Sequence, residues 1–215
     1  MRSSAAAQPP VTPRVGVYKL AVDGTEKVDF GPVSFCSRTL ATATTLVVSP
    51  AQGEPSGSFD FDIRYYPGSA GQHDERHIYR YTDDRVLLGY ENATVTCGGV
   101  QQASEVSYSP PQVRAELPLR VGASWDSTGG DAQRTEEAHS SVLRTETVQV
   151  GSAAVKTFVI ETKVRITGSE TGSRVQRWWY APSLALAVKW FEHIDGSRSG
   201  ATYSEDATVT VVATP

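Results

Sequence analysis

The sequence has no strong excess of basic charge and no long apolar run. Its 215 residues include 20 Lys and Arg against 24 Asp and Glu, and the basic residues are scattered. Nucleic-acid-binding domains concentrate basic residues on one surface, so we expect no nucleic-acid partner. Apolar runs such as 45–48 and 158–160 are far shorter than the roughly 20 residues of a membrane-spanning helix, and we expect no transmembrane segment.

Cysteine is scarce, since only Cys36 and Cys97 are present. They lie in two segments, 33–39 and 93–99, whose composition is typical of strands, and neither segment offers the further Cys or His residues of a zinc site. A disulfide between them is the economical interpretation, with two buried free thiols as the alternative. Closing such a loop stabilises a fold by about 4 kcal/mol in the chain-entropy model. Because disulfides persist in oxidising compartments, we expect an extracellular or cell-envelope location.

The first fourteen residues are rich in Ala, Ser and Pro and have no apolar core. This composition is typical of the segment that follows a removed signal peptide, so we predict a flexible tether over residues 1–14, with a lipid anchor as an open alternative. Residues 15–215 are predicted to form a single, monomeric β domain with two lobes, about 15–108 and 109–215. Two independent domains are the alternative.

Alternation of apolar and polar residues is the clearest structural signal. Residues 59–65 place Phe, Ile or Tyr at every second position and Asp or Arg between them, which is the period of a strand with one solvated face. Further strands are predicted at 15–22, 46–49, 77–82, 85–91 and 94–97. No long segment has the pattern of an amphipathic helix, so we expect few or no helices, at most one short one.

From Ser140 onward the chain is predicted to form five consecutive antiparallel strands joined by Gly-rich turns. Their length favours a long, strongly curved sheet, a half-barrel or open barrel, over a small sandwich. Between the two halves, residues 108–125 contain Pro110, Pro111 and Pro118, which are excluded from central strands, so this segment is predicted to cross between the lobes. The predicted fold is all-β and antiparallel, with an apolar concave face.

The C-terminal half contains a proline-led segment, a Thr-Phe pair, an aromatic turn and a closing strand with Val-Lys. Their residues are Pro118, Leu119, Gly122, Trp125, Thr157, Phe158, Trp179, Tyr180, Pro182, Val188 and Lys189. In these motifs the chain resembles a group of bacterial envelope proteins that includes many actinobacterial lipoproteins. The resemblance covers about the last hundred residues and implies no particular chemistry. The long curved sheet that it implies is similar in architecture to the half-barrels of lipoprotein carriers, although a shared fold does not imply a shared function.

The densest group of metal-ligand residue types lies in the segment 71–79, GQHDERHIY. On a strand, His73, Glu75 and His77 would share one face and could bind zinc. The segment follows a Pro- and Gly-containing stretch and shows no distant partner, so we interpret it as a solvated loop and assign no metal or cofactor. The sequence also lacks the G-x-S-x-G motif of a serine hydrolase, and we assign no catalytic residue and predict no enzymatic activity.

The most distinctive cluster is aromatic. Trp178, Trp179 and Tyr180 are consecutive, and Trp190 lies on the following strand. Alternation places Trp178 and Tyr180 on one face and Trp179 on the other. Cross-strand packing explains such residues in structural terms, and a binding platform for sugar rings or acyl chains is the functional alternative. With Phe158, these four residues are the candidate ligand-binding residues.

The polar residues of the same strands are interpreted as a solvated outer face with weak cross-strand pairs. These residues are Glu161, Lys163, Arg165, Arg174, Gln176 and Glu192. The function predicted from the sequence is a non-enzymatic domain that binds or scaffolds an envelope component. The alternative is a carrier of a lipid or other hydrophobic small molecule, which requires an open apolar cavity lined by residues such as Phe158, Ile160, Trp178 and Val188.

Overall fold

The computed structural model describes residues 11–31, 33–66 and 71–215, so most of the predicted tether, residues 1–10, lies outside the described residues. The described residues contain thirteen strands and no helix, and thus no helix that could cross a membrane. The strands are β1 (Gly16–Phe30), β2 (Val33–Thr39), β3 (Ala43–Pro50), β4 (Ser58–Arg64), β5 (Gln72–Tyr81), β6 (Arg85–Cys97), β7 (Val100–Glu116), β8 (Ser124–Gly130), β9 (Arg134–Val150), β10 (Ala153–Gly168), β11 (Glu170–Ala181), β12 (Leu186–Arg198) and β13 (Ala201–Ala213).

All thirteen strands belong to one antiparallel sheet that curls into a nearly closed barrel. The strand order is β7-β6-β5-β4-β3-β1-β13-β12-β11-β10-β9-β8. Strand β2 pairs with the C-terminal part of β1, from Thr25 to Phe30. The two terminal strands of this order, β7 and β8, face each other across an open seam. Contacts there run through side chains, since Val113 N donates to Ser127 Oγ at 2.8 Å and Trp125 Nε1 donates to Val113 O at 3.2 Å. The predicted all-β, highly curved fold is confirmed.

Most of the predicted strands are present, and the five-stranded C-terminal meander is confirmed as β9 to β13. The prediction for the segment around His73 was wrong, because this segment is not a loop and β5 begins at Gln72. The polar character of that segment reflects buried charges rather than solvation, as described below.

The proline-rich segment is a strand over most of its length, so the prediction that all of 108–125 crosses between lobes was wrong. Pro110 and Pro111 lie within β7, where the ladder to β6 is interrupted between Ser107 and Gln112. A strand at the seam has a free edge and tolerates proline at such a bulge. The crossing itself is made by residues 117–123, which connect β7 to β8 over the seam.

The predicted disulfide is confirmed, with Cys36 on β2 bonded to Cys97 on β6 and the two Cα atoms 5.8 Å apart. Val28 and Val95 pack around it in a small apolar cluster. The bond therefore joins β6 to β2, the strand that lies outside the main strand order and pairs with β1.

The inner face is only partly apolar, which corrects the prediction of an apolar concave side. At one end the barrel is filled by aliphatic and aromatic side chains. At the other end Arg174 and Gln176 are buried inside, and the half-buried Glu192 lines the chamber beside them, although the sequence was interpreted as placing all three outside. The outer side does carry Glu161, Lys163 and Arg165, as their ion pairs show. These residues alternate along β10 with Thr162 and Val164, which pair with Gln176 and Arg174. The apolar core includes Leu20, Leu46, Val48, Tyr65, Leu88, Ile160, Val188, Val209 and Val211.

Candidate functional site

Two adjoining chambers occupy the interior of the barrel. A polar chamber of about 110 Å³ has charged side chains among small apolar residues in its wall, and an aromatic chamber of about 60 Å³ is lined by rings and aliphatic side chains. Glu75 and His77 belong to the walls of both chambers. The two chambers are therefore neighbours, and only the first has arginine in its wall.

Strand β5 supplies much of the polar wall. Its alternation directs His73, Glu75 and His77 toward the interior, so the three do share one face, as a strand requires. His77 Nε2 lies 3.8 Å from Glu91 on the next strand. Burial and the nearby Arg114 and Arg174 outweigh the carboxylates, so the pKa of His77 lies below its ordinary value and the ring is neutral at pH 7.

His73 is the centre of a buried cluster that draws on three strands, β1, β5 and β13. Its side chain is 1 % exposed, its Nδ1 lies 2.9 Å from Glu26 Oε2 on β1, and its Nε2 lies 3.1 Å from Glu75 Oε1. Glu205 on β13 approaches Nε2 to 4.0 Å. Burial by itself would lower the pKa of His73, but the carboxylates of Glu26 and Glu75 outweigh it and raise that pKa well above its usual value. In the absence of any other cation this imidazole is protonated.

A second group of charges, here called the closure network, consists of Glu91, Arg114, Arg134, Glu136 and Arg174. Arg174 bridges Glu91 at 3.0 Å and Glu136 at 2.9 Å, and Arg134 contacts both carboxylates. Arg114 completes the group at 3.5 Å from Glu91. All five side chains are at least nine-tenths buried.

The closure network connects the two sides of the seam. Glu91 and Arg114 belong to β6 and β7, whereas the other three members belong to β9 and β11. Gln112 adds a hydrogen bond of 3.2 Å to Glu136, and Arg114 adds one of 2.7 Å to Gln176. Burial raises the pKa of Glu91, but Arg174 and Arg134 outweigh it and hold that pKa well below its ordinary value. These charges therefore join strands that the backbone ladder leaves unpaired.

Two further carboxyl groups of the polar chamber differ from Glu91, because in the described part of the chain no arginine forms an ion pair with them. Glu192 accepts a hydrogen bond from Gln176, and Glu205 accepts one from Tyr203. Burial is the main cause that raises the pKa of Glu192 to about 7 and the pKa of Glu205 to about 8. Both groups can therefore donate as well as accept hydrogen bonds near neutral pH.

The aromatic chamber is built from rings on opposite sides of the barrel. Tyr79 on β5 packs edge-on against Trp178 on β11, with ring centroids 5.7 Å apart, and against Phe61 on β4 at 5.0 Å. Arg114 of the closure network lies 5.8 Å from the Trp178 ring centroid. The remaining wall residues are Leu46, Ile63, Glu75, His77, Tyr81, Gln176, Tyr180, Leu186, Ala187 and Trp190.

The five aromatic residues that were predicted to bind a ligand lie in three different places in the structure. Trp178, Tyr180 and Trp190 line the aromatic chamber. Trp179 lies on the other face, where Lys189 is 4.7 Å from its ring centroid and its indole donates to Glu146. Phe158 pairs with Tyr180 and packs against the core, but it lines neither of these two chambers.

Sequence reasoning missed most of the charged interior residues. Arg174 and Gln176 alternate with Trp178, so their phase placed them on the same face as an aromatic residue that was expected to be inside. That signal was available but was outweighed by their polarity. Glu26, Arg114, Arg134, Glu136 and Glu205 had no comparable signal, because their partners lie on strands that are distant in sequence.

The fold and site thus define a nearly closed antiparallel β-barrel with one charged and one aromatic compartment. No protein-family model matches the chain, and no curated protein matches it. Among solved structures, it is similar to a protein from Bacteroides fragilis that has a YmcC-like fold and is inferred to be exported. That similarity has a TM-score of 0.40 at 11 % identity and covers 96 % of this chain and 99 % of the other. At this level it carries no argument about a ligand or an activity.

Proposed function

We propose that this chain is a secreted or cell-envelope binding domain that encloses a small amphiphilic molecule inside its barrel. The observation that carries the proposal is the shared wall of the two chambers, since Glu75 and His77 border both. A molecule that fills the interior must meet charged groups at one end and rings at the other. The Cys36–Cys97 disulfide fits an oxidising compartment.

The chamber volumes favour a small ligand. Pockets for drug-sized molecules are usually about 300–1,000 Å³, whereas the chambers here have about 110 and 60 Å³. A long acyl chain would have to displace core side chains such as Leu46 or Leu186, at the cost of their packing. A compound with one ring or a short hydrocarbon group is the better fit.

The residues at each end of the interior limit which chemical groups the ligand can carry there. At the polar end, Glu192 and Glu205 present carboxyl groups without an arginine partner, so a head group that donates hydrogen bonds is favoured. At the apolar end, Trp178 and Trp190 offer flat surfaces for a ring or a short chain. Burial of about 100 Å² of such a group contributes about 2.5 kcal/mol.

Native mass spectrometry of protein purified from its own host, followed by organic extraction, tests this proposal without a guess about the ligand. We expect a bound compound of low mass at close to one per chain. A clean apo mass with nothing extracted would contradict the proposal and favour a closed-core scaffolding domain, whose interior is filled by its own side chains.

Two adjacent tryptophans, Trp178 and Trp179, lie on opposite faces of β11, so matched variants can be compared for their affinity for the extracted compound. Trp178→Leu removes a ring from the aromatic chamber, and we expect binding at least about tenfold weaker, equivalent to about 1.4 kcal/mol. Trp179→Leu makes the same change on the outer face, where the ring contacts Lys189, and should leave affinity unchanged. Equal affinities for both variants would place the compound outside the barrel.

A further inference from the structure

We propose that Glu26, His73 and Glu205 form a binding site for a divalent transition-metal ion at the wall of the polar chamber. One donor atom from each of the three residues can be chosen so that all lie within 4.8 Å of one another. The three residues come from β1, β5 and β13, so the site is assembled by the closure of the sheet. All three side chains are at least 97 % buried, unlike the solvated acidic groups that are common on protein surfaces.

The imidazole is placed as a metal-binding histidine usually is. His73 Nε2 lies 3.1 Å from Glu75 Oε1, which matches the carboxylate partner that commonly orients such a ring. Nδ1 lies 2.9 Å from Glu26 Oε2, but outside hydrogen-bond geometry, so this buried nitrogen has no hydrogen-bond partner among the described residues. The geometry therefore points to Nδ1 as the ligand atom and to Glu75 as the group that orients the ring.

The two carboxylates keep oxygens available for an ion. Arg38 binds Oε1 of Glu26, and Oε2 of the same group faces His73. The Tyr203 hydroxyl lies 3.3 Å from Glu26 Oε2 and also donates to Glu205 Oε2, so it marks the space between the two acids. A tetrahedral ion with bonds of about 2.0–2.2 Å places its ligands about 3.3–3.6 Å apart, and small side-chain movements reach that spacing.

The charge of the cluster also favours a cation. Glu26, Glu75 and Glu205 converge on His73, and Arg38 is the one arginine or lysine in ion-pair contact with these three acids in the described part of the chain. A metal-bound Nδ1 carries no proton, so binding of an ion removes the positive charge that the imidazolium provides. Buried carboxylates need compensation by a positive charge, and the divalent ion would supply it in place of the proton.

The ligand set defines the class of metal. One imidazole and two carboxylates suit zinc and its first-row neighbours rather than the all-oxygen shells of calcium or magnesium. Since His73 and Glu205 also line the polar chamber, a fourth position would face that space and accept water or a ligand group. The site does not use the aromatic chamber, so its existence does not depend on the proposed amphiphile.

Isothermal titration with zinc chloride tests the site, on protein without a histidine tag that has been treated with a chelator and dialysed. We expect one zinc ion per chain and a higher thermal unfolding midpoint with zinc, because a ligand that binds only the native state stabilises it. His73→Ala should weaken binding by about 100-fold or more. His139→Ala is the matched control, since His139 is exposed and pairs with Asp126, and it should bind zinc as the wild type does.

Glu205→Gln provides a second variant if His73→Ala fails to fold, because it keeps the size of the side chain and removes the ligand charge. It should also weaken zinc binding, by about tenfold or more. Absence of zinc binding by the folded wild type would overturn the proposal, as would wild-type affinity in Glu205→Gln or in a folded His73→Ala. In either case the cluster would be a proton-holding ion-pair group and the proposed amphiphile site would be unaffected.

Discussion

Arg174 on β11 donates from Nη1 to both carboxylate oxygens of Glu91 on β6, at 3.0 Å each, across the inside of the barrel. The two residues are 83 positions apart in the chain and lie on opposite sides of the seam. Charge-assisted bonds of this kind are stronger than neutral ones. The pair therefore holds β6 and β11 together, as backbone hydrogen bonds hold neighbouring strands together elsewhere in the sheet.

Glu91→Gln should lower the free energy of unfolding by about 3–5 kcal/mol, because loss of one partner leaves buried arginines without compensation. Urea unfolding at neutral pH, monitored by tryptophan fluorescence, measures this change. Glu137→Gln is the control, since Glu137 forms an exposed pair with Arg165 at 3.6 Å and such pairs contribute less than about 1 kcal/mol. Similar losses in the two variants would show that the closure network is not what joins the seam.

Cys36→Ser should lower the thermal unfolding midpoint in non-reducing buffer, because the Cys36–Cys97 bond closes a loop with a sequence separation of 61. The chain-entropy model gives a loss of about 4 kcal/mol. In a reducing buffer the wild type has no bond to lose, so the two midpoints should coincide. A wild-type midpoint that does not respond to the reductant would contradict the assignment.

Trp179→Ala should destabilise the fold by about 3–5 kcal/mol, the usual cost of truncating a large buried aromatic residue. The side chain is 7 % exposed although it lies on the outer face, where Lys189 and Glu146 cover it. Denaturant unfolding measures the loss. Arg144→Ala, which removes an exposed neighbour of Glu146, should change stability by less than about 1 kcal/mol. A stable Trp179→Ala protein would show that its covering contacts contribute little.

Glu192→Gln should stabilise the protein more at pH 8 than at pH 5. Burial raises the pKa of Glu192 from 4.5 to about 7 in the folded state, so its favourable contribution is complete below about pH 4.5 and is lost as the pH rises toward 7. Gln resembles the neutral acid at every pH and avoids that loss. Urea unfolding of both proteins at the two pH values measures the difference.

Glu137→Gln is again the appropriate comparison for this pH dependence, because the side chain of Glu137 is 60 % exposed. Its effect on unfolding should be small at both pH values. If Glu192→Gln had the same effect at pH 5 as at pH 8, the carboxyl group would not titrate differently in the folded and unfolded states in this range, which would contradict a folded-state pKa of about 7.

Much of the fold could be predicted, because strand period and turn composition are local properties. Alternation in residues 59–65 predicted β4, and the Gly-rich turns after Ser140 predicted the meander. The same reasoning was wrong for the segment around His73, where charged residues occupy a strand. Local polarity indicated solvent there, whereas the partners that compensate the charges are Glu26 and Glu205, far along the chain.

The aromatic half of the candidate site was partly foreseen and the charged half was not. Trp178, Tyr180 and Trp190 stand out in the sequence, and they do line the aromatic chamber. Which side of each strand faces inward is a different matter, since alternation defines two faces without saying which one is enclosed. Arg174 was assigned to the wrong face because its polarity was given more weight than the phase it shares with Trp178.

The sequence by itself determined most of the strands, the meander and the bond between Cys36 and Cys97, because these depend on short-range pattern and on the presence of only two thiols. Only the tertiary structure decided that the sheet closes until β7 faces β8, and that closure turns polar faces inward. Burial of those charges is tolerated because acids and bases from distant strands meet there, as Glu91 and Arg174 do. No local sequence pattern predicts such ion pairs, since they form only when the whole sheet curves and brings distant strands together.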